Sequence, residues 1–155
     1  MLYYRRKILL ALLELFGGQL TAIQLQKLLF LFTRLQSEKS FDFVPYRYGC
    51  FSFQANQDVA TLTKYGYLQK EGGDIVRLEK PNRYFLMLDM FDQQAMRDVK
   101  TQFGKFSQED LIQYTYRHYP YFATNSTIAH TVLTANELAE VERAKFHSDE
   151  PQLFT

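Results

Sequence analysis

Residues 21–78 decide the fold, and they open with the run TAIQLQKLLFLFTRLQ, residues 21–36. Thr21 and Gln24 match the capping-box pattern, in which each side chain hydrogen-bonds the backbone N–H of the other residue. Apolar residues then recur at helical spacing, and they are Leu25, Leu28, Leu29, Phe32 and Leu35. This spacing predicts a helix with one continuous hydrocarbon face.

A second helix and a hairpin follow. Residues 52–65 have helical periodicity, with Ala55, Val59 and Leu62 on the apolar side. Residues 67–71 and 74–78 are strand-like, and Gly72-Gly73 lies between them. Two adjacent glycines favour a tight hairpin because both turn residues adopt positive φ. Helix, helix and hairpin in this order are typical of a winged helix-turn-helix, so nucleic-acid binding is the first functional hypothesis.

The rest of the chain is expected to be mainly helical. Residues 5–16 are apolar around most of a helix that Gly17-Gly18 ends, which predicts a central position in the core. Residues 41–51, rich in aromatics and broken by Pro and Gly, predict an extended segment across the core. Residues 84–88 are predicted to add a third strand. Further helices are predicted at residues 93–103, 108–119 and 135–145, with Ser107 and Thr134 as the caps of the last two.

The expected fold class is therefore α+β and mostly helical. A winged helix-turn-helix core with a small β-hairpin wing is predicted for residues 1–88. A helical extension packed on that core is predicted for residues 89–146. Residues 147–155 are read as a linker toward a further C-terminal domain.

Composition narrows the class of protein. Aromatic residues make up 16% of the chain, with 14 Phe, 11 Tyr and no Trp. The single cysteine, Cys50, excludes an internal disulfide and fits a reducing compartment, so a cytoplasmic location is expected. No apolar run approaches the roughly 18 residues of a membrane span, so no membrane association is predicted.

The net charge of +1 conceals an asymmetry. Residues 1–88 carry 12 Lys and Arg against 7 Asp and Glu, a balance of +5. Residues 89–155 carry 6 against 10, a balance of −4. The positive half is the half with the helix-helix-hairpin pattern, and a mild positive field favours contact with phosphates.

Nine residues are candidates for nucleic-acid contact: Gln54, Gln57, Thr61, Lys64, Lys70, Arg77, Arg5, Arg6 and Lys7. The first four lie on the polar face of the second helix, where Gln reads adenine edges and Lys reads guanine or phosphate. The hairpin supplies the next two as phosphate contacts. The last three oppose the helix macrodipole at a helix N-terminus, which suggests an external use. A solvated helix face and solubilising edge residues are the alternatives.

Catalysis and metal binding have little support. Cys50 paired with His118, His130 or His147 is a nucleophile–base arrangement without an orienting third group, and a small buried thiol is the favoured interpretation. No enzyme activity, metal or cofactor is predicted. A further aromatic set either stacks on unpaired bases or, more simply, packs in the core. It comprises Tyr114, Tyr116, Tyr119, Tyr121 and Phe122.

Three motifs carry a family resemblance: LQKLLF at residues 25–30, FVPYRYGCF at residues 43–51 and LTKYGYL at residues 62–68. Together they resemble the N-terminal region of an uncharacterised two-domain bacterial protein family. In that family a winged-helix-like module precedes a second domain that opens with a Thr-Ile-Gly-Tyr-Glu-Gly-like strand. The ending DEPQLFT, residues 149–155, is similar to the junction before that strand.

A more distant resemblance is to the Panacea (SocA-like) antitoxin domains. There a Lys-Leu-Gln-Lys-Leu-Leu-Tyr-like helix precedes a Tyr-Gly-Pro-like turn. The matching pieces here are residues 24–30 and Tyr48-Gly49-Cys50, with Cys50 where that group tends to have Pro. This resemblance implies binding of a partner protein and names no catalytic residue.

Two functional hypotheses follow. The first is a non-enzymatic recognition module that binds duplex DNA or another nucleic acid for an attached effector domain. The second is an antitoxin-like or adaptor module that binds a partner protein, and it predicts an exposed apolar patch near residues 41–53 or 114–122. A homodimer formed through the terminal helix is left open.

Overall fold

A computed structural model describes residues 2–146, and in it the chain is α+β and 59% helical, as predicted. The helices are α1 (Tyr4–Leu15), α2 (Ala22–Leu35), α3 (Phe53–Lys64), α4 (Met90–Phe103), α5 (Gln108–His118), α6 (Ala129–Val132) and α7 (Ala135–Ala144). The strands are β1 (Gln19–Thr21), β2 (Val44–Tyr46), β3 (Gly49–Phe51), β4 (Leu68–Glu71) and β5 (Ile75–Leu78). Two 3-10 helices span Tyr84–Met87 and Pro120–Ala123. The predicted linker at residues 147–155 lies outside the described residues.

The first two helices form as their sequences predict. Helix α1 is central, since every residue from Ile8 to Leu13 is fully buried. The capping box of α2 is present: Thr21 N donates to Gln24 Oε1 at 2.9 Å, and Gln24 N donates to Thr21 Oγ1 at 3.1 Å. These bonds satisfy two backbone donors that a helix start otherwise leaves without partners.

Strands β1, β5 and β4 form an antiparallel sheet in that order. The predicted hairpin is confirmed, and Gly72 and Gly73 adopt φ of 59° and 78° in its turn. Strand β1 was not predicted because its three residues are too few to show an alternating pattern. It pairs with β5 and brings the start of α2 beside the hairpin.

The strand predicted at residues 84–88 is wrong. Tyr84–Met87 form a 3-10 helix instead. The Glu14 carboxylate, at the end of α1, accepts the backbone N–H of Tyr84 at 3.1 Å and that of Phe85 at 3.0 Å. Two N–H groups that a strand would direct to a neighbouring strand are thus bound by a carboxylate from 70 residues away.

The aromatic segment at residues 41–51 folds into a two-stranded ribbon, β2–β3, in which Tyr46 pairs with Gly49. Gly49 has φ of 97°. A side chain added there would lie 2.4 Å from Cε1 of Tyr116, a fully buried residue of α5. Gly49 is therefore required both by its backbone conformation and by the closeness of α5.

The C-terminal helices pack on this framework. Helices α4 and α5 both contact α2, and Phe103, Leu111 and Phe122 join the main core. A second, smaller core holds α6 and α7 against α5 through Tyr116, Leu133 and Val141, among others. Ser107 and Thr134 form the capping boxes of α5 and α7, and their role as caps is confirmed.

Gly49→Ala is expected to destabilise the protein more than Gly73→Ala. At Gly73 the variant meets no atom within 4 Å, so only left-handed backbone strain applies, about 1–2 kcal/mol. At Gly49 the same strain is joined by overlap with Tyr116, which adds about 1–3 kcal/mol. Urea unfolding followed by circular dichroism measures both losses. Equal losses in the two variants would contradict the close approach of α5 to the ribbon.

Candidate recognition surface

Two neighbouring polar residues of α2 hold the ribbon and the start of α3. Gln26 Nε2 donates to Ser52 O at 3.1 Å, and Ser52 N donates to Gln26 Oε1 at 2.9 Å. Ser52 in turn caps α3, since its hydroxyl accepts from Ala55 N at 3.1 Å. The side-chain amide of Gln26 therefore acts as one more backbone partner at the point where β3 becomes α3.

Lys27 is only 2% exposed. Its ammonium donates to the carbonyl oxygen of Tyr48 and, at 3.1 Å, to that of Cys50. Burial lowers the pKa of Lys27, and the neighbouring Cys50 side chain acts in the opposite direction. Sequence reasoning did not single out Lys27. The signal was available, because residues 25–32 are otherwise almost wholly apolar and a helix without a polar face is buried all round.

Cys50 is a buried thiol, as its favoured interpretation predicts. It is 1% exposed, and burial raises its pKa. His118 Nδ1 hydrogen-bonds the carbonyl of Tyr114 at 3.0 Å, and His130 is exposed. His147 lies outside the described residues. Within residues 2–146 the thiol has no hydrogen bond to a histidine.

Three of the predicted nucleic-acid contacts form a row along the polar face of α3. Gln57 and Lys64 are exposed and Thr61 is half-buried. Gln54 is also exposed, but its side-chain oxygen accepts the backbone N–H of Asp42 at 2.9 Å. That bond ties Gln54 to the loop before the ribbon.

Arg5 and Arg6 brace α1 against α3. Arg5 Nε lies 2.6 Å from one carboxylate oxygen of Asp58, and Arg6 Nε lies 3.0 Å from the other. Asp58 is fully buried on the apolar side of α3, and its hydrogen bond raises the pKa of Arg5. A buried carboxylate needs such partners. Sequence reasoning missed Asp58, although a carboxylate between two apolar positions of a helix is itself a signal of a buried ion pair. Lys7, the third member of the basic cluster, is half-buried.

The two cations of the hairpin lie on opposite faces of the sheet. Arg77 pairs with Gln69 across the hairpin, and Lys70 pairs with Val76. Adjacent positions of a strand point to opposite faces, so the two side chains diverge. Arg77 contacts the carboxylates of Glu71 and Glu79. The structure therefore does not bring the nine predicted nucleic-acid contacts together on one surface.

The ribbon presents an aromatic face, which we call the aromatic patch: Val44, Tyr46, Phe51 and Phe53. Alternation along the strands places the first three on one side, with Pro45 and Cys50 on the other. The rings of Tyr46, Phe51 and Phe53 contact each other with centroids 4.9–5.3 Å apart. Phe53 is 56% exposed, and Val44 and Tyr46 are 42% and 36% exposed. Arg47 lies over the Tyr46 ring at 5.5 Å.

The second predicted aromatic set belongs mainly to the interior. Tyr116 and Phe122 are fully buried, and Tyr114, Tyr119 and Tyr121 pack against the main core. Burial raises the pKa of Tyr116 to about 12. A different exposed apolar group, which sequence analysis did not predict, lies on the Tyr84–Met87 helix and at the start of α4. It consists of Leu86, Met87, Met90 and Phe91.

This chain matches no family model, no curated protein and no solved structure. The two resemblances drawn from its motifs stay predictions. No helix within residues 2–146 is both long and apolar enough to cross a membrane. Within the same residues, no group of three or more His, Cys, Asp or Glu is arranged to hold a metal ion.

Lys27→Met is expected to destabilise the protein more strongly at pH 9.5 than at pH 7. Because the folded protein lowers the pKa of Lys27, the unfolded chain binds more protons at alkaline pH. Stability of the wild type therefore rises with pH until the ordinary lysine pKa is reached, by up to about 1.4 kcal/mol per pH unit. The variant lacks this gain, and it also leaves two carbonyl oxygens without their donor.

Urea unfolding of wild type and variant at the two pH values measures the effect. The two proteins contain the same tyrosines, so the contribution of tyrosine titration cancels in the difference between their free energies of unfolding. Lys105→Met, at an exposed position between α4 and α5, is the control for loss of one lysine. A destabilisation that is the same at both pH values would show that Lys27 is held with an ordinary pKa.

Proposed function

We propose that this chain is a non-enzymatic recognition module that binds a partner protein through the aromatic patch. The single observation that carries the proposal is the cluster of three touching rings with Phe53 more than half exposed. Exposed apolar groups of this kind are typical of protein-binding surfaces. Tyr and Phe anchors also contribute strongly to protein interfaces because they bury a large area at small entropic cost.

The chemistry around the patch defines the partner. Arg47 lies against Tyr46, and among residues 2–146 no carboxylate forms an ion pair with it. We expect a partner segment with apolar side chains for the rings and a carboxylate for Arg47. This is the second hypothesis of the sequence analysis, and the patch falls in one of the two regions that the hypothesis named.

A test compares proteins captured by the full chain and by a Tyr46→Ser, Phe53→Ser double variant, using an extract of the source cells. Both side chains are exposed, so the fold should be retained, and circular dichroism checks this. The affinity of the double variant for the partner is expected to be lower by about thirtyfold or more, since loss of even one anchor of this type costs about 2 kcal/mol. The partner is then purified and its affinity for both proteins measured by calorimetry.

The matched control is Leu86→Ser with Met90→Ser, which removes two exposed apolar side chains from the other group. It should bind the partner as the wild type does. A partner that binds the patch variant normally, or that needs Leu86 and Met90 instead, would refute the assignment of the patch.

Nucleic-acid binding is a second candidate, favoured by the order of elements. Helices α2 and α3 are followed by the β4–β5 hairpin, and the sheet order β1-β5-β4 joins that hairpin to the strand before α2. We infer a winged helix-turn-helix from this arrangement, with α3 as the recognition helix. The row of Gln57, Thr61 and Lys64 would then face the major groove.

Fluorescence anisotropy with a random-sequence duplex at about 50 and about 200 mM salt tests this candidate. If α3 contacts phosphates and bases, affinity falls steeply over that range, and a Gln57→Ala, Lys64→Ala double variant binds more weakly than Lys105→Ala. An absence of binding at the lower salt concentration would eliminate the candidate. Partner binding through the aromatic patch should change little with salt, because its main contribution is apolar.

A further inference from the structure

A cavity of about 230 Å³ lies beneath the ribbon. Four parts of the fold enclose it: the first half of α2, the ribbon, the first half of α3 and the β4–β5 hairpin. Its walls are mainly hydrocarbon and include Leu25, Phe51, Ala55, Val59 and Val76. An engineered apolar cavity of roughly 150 Å³ takes up benzene, so this space is sufficient for one aromatic ring with a short substituent.

The charged side chains of the lining are all cationic. Lys27, Arg47 and Lys70 line the cavity, and no Asp or Glu does. Lys27 already donates to two carbonyl oxygens at the inner side. Arg47 and Lys70 are both exposed and form no ion pair within residues 2–146, so both cations are available at the mouth. The core-facing orientation of Lys70 follows from its pairing with Val76, which is buried.

We propose that this cavity binds a small apolar monocarboxylic acid, with its hydrocarbon body inside and its carboxylate at Arg47 and Lys70. The shape of the guanidinium favours a carboxylate, which it can bind through two parallel hydrogen bonds. The walls exclude a strongly polar body, because a buried polar group without a partner is unfavourable there. Tyr46 and Phe51 of the aromatic patch also line this cavity, as does Arg47. The two proposals are tested apart, because titration with a small acid requires no partner protein.

Calorimetric titration of the full chain with 4-ethylbenzoate, and with the neutral 4-ethylbenzamide, tests the proposal. The acid should bind saturably and at least about tenfold more tightly than the amide, because only the acid pairs with the two cations. Lys70→Gln and Arg47→Gln should each weaken binding of the acid by about tenfold and leave the amide unchanged. Lys105→Gln, which removes a charge far from the lining in sequence, should have no effect.

A variant that fills the cavity tests its position. Ala22→Leu enlarges a half-buried lining residue at the start of α2, and it should abolish binding of both probes. Circular dichroism melting establishes that this variant is folded. Three results would overturn the proposal: no saturable binding of the acid at its solubility limit, equal affinity for acid and amide, or unchanged binding in the filled variant.

Discussion

The hydrogen bonds from Gln26 and Lys27 to the ribbon backbone constrain most of the surface described above. A two-stranded ribbon of three-residue strands has little stability of its own. Helix α2 supplies what a third strand would supply, since its side chains bind the backbone of Tyr48, Cys50 and Ser52. On the far side, Thr127 N donates to Arg47 O at 2.9 Å. The ribbon is thus fixed from both sides by groups distant in sequence.

Two buried charged side chains, Lys27 and Asp58, also fix the relative positions of the elements. Lys27 fixes the ribbon against α2, and Asp58 fixes α3 against Arg5 and Arg6 of α1. A buried charge without its partners is strongly destabilising, whereas replacement of all the partners together by apolar residues is often tolerated. Such groups therefore contribute specificity of position more than stability. Here they fix the ribbon against α2 and α3 against α1.

Sequence could predict the parts of the fold that depend on local chemistry. The capping box at Thr21, the glycine pair in the hairpin and the apolar face of α3 all follow from contacts within a few residues. The errors arose where a distant group decides the outcome. Residues 84–88 have strand-like composition, but the Glu14 carboxylate makes them a 3-10 helix. Strand β1 exists only because β5 lies beside it.

In the candidate site, too, sequence could predict what depends on nearby residues and could not predict what depends on distant ones. Exposure of Gln57 and Lys64 follows from helical periodicity, so it was predictable. The roles of Arg5 and Arg6 were not, because a basic cluster looks alike in sequence whether it faces phosphate or a buried carboxylate. Arg77 likewise looks available in sequence, yet two glutamates of the hairpin contact it.

These pairings are the reason why we propose a protein partner ahead of a nucleic acid. A phosphate contact needs a cation that is free to approach it. Arg5 and Arg6 share the single carboxylate of Asp58, and Arg77 contacts the carboxylates of Glu71 and Glu79. In the aromatic patch the rings contact one another, and Val44, Tyr46 and Phe53 remain exposed to solvent. The residues that fix the ribbon also place it beside the cavity, whose lining includes Tyr46 and Phe51 of the aromatic patch together with Arg47 and Lys70. The ribbon therefore contributes side chains to both proposed sites, the aromatic patch and the cavity.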